Sequence, residues 1–128
     1  MRILLDTHAF LWWLDGDEQL PPTCRGLIAD EGNEVLISAA SAWEIIVKNQ
    51  IGKLPLPGPP RDFIHKWRLR HQIKSIAIDE LSVMELVHLP EYHKDPFDRI
   101  LICQALAHGL IILTPDPLIT KYPVRVEW

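Results

Sequence analysis

Short apolar runs that stop at an acid or a hydroxyl, alternating with longer stretches of helical pattern, constrain this chain more than any other feature. Arg2–Leu5, Val35–Ser38 and Leu110–Leu113 are too short for buried helices and too apolar for loops, so each reads as a buried strand. Ile73–Ile78 alternates apolar and polar residues and adds a fourth strand; Val124–Val126 adds a last short one. Between them lie helical segments. Ala9–Leu14 is a short apolar helix that Thr7 can cap, followed by a loop at Asp15–Glu18. Pro21-Pro22 opens a second helix running to about Asp30, with Gly32 as its stop. Ser38–Gln50 follows, with Trp43, Ile46 and Val47 on one face and Gly52 closing it. The prolines of Leu54–Pro60 exclude helix or inner strand and leave a rigid connection. Helical pattern resumes over Arg61–His71, over Glu80–Val87 behind an Asp79 cap, and over Pro96–His108, closed by Gly109; Pro115–Lys121 is a helical turn.

Strands alternating with helices require crossover connections, hence a parallel sheet covered on both faces. The expected architecture is a three-layer α/β/α fold around a central, mostly parallel sheet of four to five strands. At 128 residues the chain is expected to form a single domain, 1–128. It contains no apolar run long enough to span a bilayer, and Asp6 interrupts the N-terminus too early for a secretory signal. Cys24 and Cys103 lie far apart and form no metal-binding spacing. A reduced, cytoplasmic protein with no membrane association is the expectation.

In sheets of this kind the site lies beyond the carboxyl ends of the strands. Asp6 follows the first strand, and Thr114-Pro115-Asp116 follows Leu110–Leu113. Asp95 and Asp98 bracket the start of the Pro96–His108 helix, and Glu44 stands in the helix after the second strand, surrounded in sequence by Trp43, Ile45, Ile46 and Val47. Carboxylates gathered at one edge repel unless a proton or a cation intervenes. Hard oxygen donors without His or Cys company suit Mg²⁺ or Mn²⁺, which support phosphodiester hydrolysis. Simpler roles stand beside this one. Asp95 before Pro96 is a good helix cap, Asp98 favours the helix dipole, and Asp116 between two prolines fits a turn. His8 and His93 flank the acids and read as loop hydrogen-bonding residues rather than ligands.

Leu5-Asp6-Thr7, Ser38-Ala39-Ala40-Ser41-Ala42-Trp43-Glu44, Asp95-Pro96-Phe97-Asp98-Arg99 and Leu113-Thr114-Pro115-Asp116 together resemble the PIN domain, and within it the VapC-like toxin ribonucleases. The resemblance implies that Asp6, Glu44, Asp98 and Asp116 are the catalytic, metal-binding acids, with Asp95 an additional metal-binding acid and Thr7 and Thr114 supporting hydroxyls. It further implies Mg²⁺ or Mn²⁺ as cofactor, RNA as substrate and a cognate antitoxin as partner. Asp116 is followed by Pro117 where many relatives carry a longer acidic or aromatic stretch. Two other readings remain open. One is a non-catalytic partner-binding α/β module with an acidic cation pocket. The other is an aspartyl-nucleophile phosphatase, which wants an acid where His8 stands.

A net charge of −4, from 17 acids and 13 Lys/Arg, argues against a uniformly basic nucleic-acid surface. Setting four site acids aside leaves 13 acids against 13 bases. Arg61, Lys66, Arg68, Arg70 and Lys74, with Lys48 and Lys53 upstream, form either a backbone-binding track or a solvated helix face. Arg99 is placed to contact substrate or to pair with a neighbouring acid. Phe10, Trp12, Trp13 and Leu14 crowd one short helix, so an indole is expected at the surface as an antitoxin groove or a homodimer contact; core packing is the alternative.

Overall fold

The computed structural model describes residues 1–128. Five strands form one sheet: β1 (Arg2–Leu5), β2 (Glu34–Ser38), β3 (Lys74–Ile76), β4 (Ile111–Leu113) and β5 (Val126–Glu127). Their spatial order is β3-β2-β1-β4-β5 and every pairing is parallel. The helices are α1 (Thr7–Asp15), α2 (Pro22–Ala29), α3 (Ala39–Gln50), α4 (Pro60–Arg70), α5 (Glu80–Met84), continued by a 3₁₀ turn over Glu85–His88, and α6 (Pro96–His108).

Alternation along the strands separates two cores, because successive side chains point to opposite faces. Ile3, Leu5, Val35, Ile37 and Leu113 face one side, where Phe10, Ile28, Ile45 and Ile64 of the first four helices cover them. Leu4, Leu36 and Ile112 face the other, beneath Leu101, Ile102 and Ala105 of α6. The expected three layers are present, with five strands.

Local signals explain most boundaries. Asp95 caps α6 through bonds from the Phe97 and Asp98 N–H groups to its Oδ1, at 2.8 and 3.3 Å, and Gly109 closes the helix with φ of 65°. Asp79 caps α5, accepting the Ser82 N–H.

Other expectations need correction. Asp6, not Thr7, caps α1, because its Oδ1 accepts the Ala9 N–H at 2.7 Å while the Thr7 hydroxyl is directed to α3. The strand expected over Ile73–Ile78 shortens to Lys74–Ile76, and that over Val124–Val126 moves to Val126–Glu127; each is an edge strand with one partner. The turn expected over Pro115–Lys121 is a 3₁₀ turn at Ile119–Lys121 only. The Thr114 hydroxyl and Asp116 carboxylate take the N–H groups of Asp116 and Leu118 in place of helical bonds.

Trp43 does not lie on the packed face of α3. It is 57% exposed and stands edge-on to Phe97, ring centroids 4.8 Å apart. Phe10 is fully buried beneath the sheet, so it offers no partner surface. Trp12 and Trp13 are half-buried against the same core, because α1 lies flat on the first face. No helix is long and apolar enough to cross a membrane.

Candidate active site

The register aligns the carboxyl ends of the central strands. Leu5 pairs with both Ile37 and Leu113, so Asp6, Ser38 and Thr114 emerge level with one another. The Asp6 N–H continues the ladder to the Leu113 carbonyl at 3.1 Å. Ser38 caps α3 by accepting the Ala40 N–H, and α3 then carries Ser41 and Glu44 over the edge. The chain runs β1, β2, β3 outward on one side of β1 and then returns to place β4 on the other. The reversal point falls between β1 and β4, where such sheets bind their ligands.

Asp6 is 4% exposed and both its oxygens are engaged: Oδ1 by Ala9 N–H and Oδ2 by the Thr114 hydroxyl at 2.6 Å. Burial pushes its carboxyl above the ordinary value; those two bonds oppose the rise and the Glu44 charge adds to it. Glu44 is 5% exposed. Its Oε1 accepts the Thr7 hydroxyl at 2.5 Å and its Oε2 the Lys48 ammonium at 2.6 Å; Ser41 Oγ lies 3.0 Å from Thr7 Oγ1. The Thr114 hydroxyl also accepts the Asp116 N–H at 3.1 Å, so one side chain fixes two acids.

Asp98 and Asp116 are less buried than Asp6 and Glu44, and His93 joins them. Its Nε2 lies 2.7 Å from Asp116 Oδ2 and 3.2 Å from Asp98 Oδ2. Desolvation pushes the Asp98 carboxyl up to about 7; the charges of Asp95, Glu44 and Asp6 add to the rise, and His93 opposes it. The electrostatic influence of those acids on Asp98 is the signature of carboxylates crowded at one place.

Asp98 and Asp116 share His93, Thr114 joins Asp116 to Asp6, and the charges of Glu44 and Asp6 bear on Asp98, so the four acids lie toward the same edge of the sheet. Thr7 and Thr114 support Glu44 and Asp6 respectively. Asp95 is a helix cap whose charge bears on Asp98. His93, read from the sequence as a loop hydrogen-bonding residue beside the acids, has a second role. It does make the expected loop bond, accepting the Asp95 N–H, but its other nitrogen reaches the acids. The available signal was its position two residues before Asp95.

The basic residues behave differently from the expected track. Lys48 is the counter-ion of Glu44. Arg99 pairs with no acid: its guanidinium donates to the carbonyls of Leu89, Pro90 and His93 and ties down the loop before α6. Arg68 donates to the Ile73 carbonyl, ahead of β3. Arg70 lies over the Trp67 ring and lines a cavity of about 470 Å³ with Asn33 and Val35, at the amino edge of the sheet. Arg68 and Arg70 are thus turned away from the acids. His8 is exposed and its ring lies against Trp12.

A parallel sheet whose carboxyl edge gathers four acids and two supporting hydroxyls defines the class of protein: the chain belongs to the PIN domain family, whose pattern matches residues 3–124. Among its relatives is Ribonuclease VapC22 of Mycobacterium tuberculosis, 24% identical over 115 residues, which cover 89% of this chain and 86% of that protein. Ribonuclease VapC16 of the same organism is 36% identical over 55 residues, 43% of this chain and 39% of that protein. In fold the chain is similar to VapBC2 from Rickettsia felis, solved bound to a DNA fragment from their promoter, with a TM-score of 0.74, 14% identity and coverage of 100% and 99% of the two chains. It is also similar to DNA-bound VapBC from Salmonella typhimurium, with a TM-score of 0.67, 15% identity and coverage of 99% and 97%.

Proposed function

We propose that this protein is a divalent-cation-dependent endoribonuclease, the toxin of a toxin–antitoxin pair, with Asp6, Glu44, Asp98 and Asp116 as its catalytic acids. The observation that carries the reading is geometric: His93 Nε2 lies 2.7 Å from Asp116 Oδ2 and 3.2 Å from Asp98 Oδ2, and the Thr114 hydroxyl joins Asp116 to Asp6 at the carboxyl ends of the central strands. Acids are rarely brought together from four separate elements unless a cation offsets their repulsion. The donors are hard oxygens, and they fit Mg²⁺ or Mn²⁺. When bound, such an ion neutralises phosphate charge and makes water acidic enough to attack. The protein's own contribution is positioning. Asp6 is held at both oxygens, Glu44 between Thr7 and Lys48, and Asp116 by Leu118 N–H and His93. The similarity to proteins named ribonucleases supports RNA as the substrate. The resemblance to VapC-like toxins and the VapBC fold neighbours support an antitoxin as the partner.

The test is cleavage of a labelled single-stranded RNA by purified protein with Mg²⁺ or Mn²⁺. Chelation is expected to abolish cleavage, and Asp6→Asn and Asp98→Asn to lower it by at least about 100-fold, a loss of about 3 kcal/mol of transition-state stabilisation. Asn preserves the helix cap at position 6, so that variant is expected to stay folded. Parent-rate cleavage by either variant overturns the assignment. Cation binding without turnover supports the partner-binding module instead.

A further inference from the structure

His93 is fixed at four points. Its backbone N–H donates to the Tyr122 hydroxyl at 2.9 Å, and its carbonyl accepts from Arg99 at 3.1 Å. Its ring Nδ1 accepts the Asp95 N–H at 3.1 Å. Its ring Nε2 lies between Asp116 Oδ2 and Asp98 Oδ2. The two anchors are themselves braced, since the Tyr122 hydroxyl donates to the Pro90 carbonyl and Arg99 holds Leu89 and Pro90 as well. The side chain is buried, whereas the two carboxylates it touches are the less buried half of the acid cluster.

This geometry decides what the imidazole can do. One donor atom each from His93, Asp98 and Asp116 lie within 4.8 Å of one another, the arrangement of a three-ligand metal site. A nitrogen that binds a metal must present a lone pair, and the opposite nitrogen then carries the proton. Here the opposite nitrogen, Nδ1, faces a backbone N–H and must keep its own lone pair to accept it. The ring proton therefore sits on Nε2, which donates to the two carboxylates.

We propose that His93 is a positioning residue: its Nε2–H clamps the Asp98 and Asp116 carboxylates side by side without itself becoming a ligand of the cation. The clamp rests on the reading of these acids as a cation site. The buried acids Asp6 and Glu44 have threonine hydroxyls to orient them; the outer pair has this imidazole. Loss of an outer-shell donor of this kind weakens metal binding by about 10- to 100-fold.

Two amide substitutions separate the clamp from a role in loop packing. His93→Gln places an amide N–H₂ near the Nε2 position and keeps the bond to the acids. His93→Asn places an amide oxygen near the Nδ1 position, keeps the loop bond to Asp95 N–H, and falls short of the acids. Mn²⁺ titrated into each protein calorimetrically is expected to bind at least about 10-fold more weakly to His93→Asn, with His93→Gln within about threefold of wild type. A long-range ¹H–¹⁵N spectrum of the metal-free wild type is expected to show His93 protonated at Nε2 alone, assigned by its loss in His93→Gln. Pulsed EPR of the Mn²⁺-loaded wild type is expected to show no directly bound nitrogen. Three results overturn the proposal: a directly bound nitrogen, an Nδ1-protonated ring, or equal Mn²⁺ affinity in all three proteins. The reverse order, with Asn retaining affinity and Gln losing it, assigns His93 to loop packing and overturns it too. Should His93→Asn not fold, the ring tautomer and the EPR spectrum decide on wild type alone. Wild type that binds no Mn²⁺ overturns the cation site itself, whereas binding that ignores position 93 overturns only the clamp.

Discussion

A carboxyl that stays protonated to about pH 7, as at Asp98, destabilises the fold once it ionises. In the unfolded chain an aspartate loses its proton at about 3.9. Between these values the native state binds more protons than the unfolded state, so this group's contribution to stability falls as pH rises and levels off above about 7. Asparagine at this position carries no charge to desolvate. In metal-free protein at about pH 5 the unfolded aspartate is already ionised while Asp98 in the fold is not, so Asp98→Asn is expected to be the more stable protein already, by on the order of 1 kcal/mol. At about pH 8 its lead is expected to be larger, on the order of a few kcal/mol in stability. Thermal melts of the two proteins at both pH values check this; a variant less stable than wild type at about pH 8 removes the burial of an ionised Asp98 as a cost to the fold. The same replacement is expected to abolish cleavage, so at this residue stability and activity run in opposite directions. Asp6, Asp98 and Asp116 were legible in the sequence because each follows a strand end or opens a helix, and Glu44 because it stands as an acid among apolar neighbours in the helix after the second strand. His93 was not legible as part of that site. Its Asp116 partner is 23 residues away, and only the folded loop braced by Arg99 and Tyr122 turns the ring toward the acids.

Among the elements, α6 was the most readable. Asp95, Pro96 and Gly109 set its ends from local chemistry alone, and the structure places the helix at Pro96–His108. The edge strands β3 and β5 were least readable, since their extent depends on pairing with one neighbour rather than on their own composition. Trp43 of α3 was misjudged for a related reason. Which face of a short helix is covered depends on the sheet beneath it, and Trp43 belongs to the uncovered side. The α6 cap also separates two roles for Asp95. Its Oδ1 is already occupied by the Phe97 and Asp98 N–H groups. Serine supplies the same capping oxygen without the charge. Asp95→Ala is expected to cost about 1 kcal/mol in stability, and Asp95→Ser only a few tenths, by chemical denaturation. With the cap restored and a neighbouring charge removed, Asp95→Ser is expected to bind Mn²⁺ within a few-fold of wild type. A loss comparable to that of Asp98→Asn marks Asp95 as a ligand instead of a cap.

For the molecule as a whole, the acid cluster joins parts that are otherwise separate. Asp6 ends β1, Glu44 rides on α3 over the first core, Asp98 opens α6 over the second, and Asp116 follows β4. An ion held by all four would bridge both helical layers and both sides of the point where the strand order reverses. Binding to the native state alone raises stability by about 2.7 kcal/mol at 100 times the dissociation constant. Because the ligands must be ionised, binding also displaces the Asp98 proton, so the effect depends on pH. At about pH 5 the cation competes with a proton that is nearly always present; at about pH 8 that proton is already gone. Saturating Mn²⁺ is therefore expected to raise the melting temperature by several degrees at about pH 8 and by much less at about pH 5, with chelator reversing both. Asp6→Asn is expected to lose the shift at either pH while unfolding in one transition. A shift of equal size at both pH values places the ion away from Asp98, and no shift at either removes the cation from the centre of the molecule.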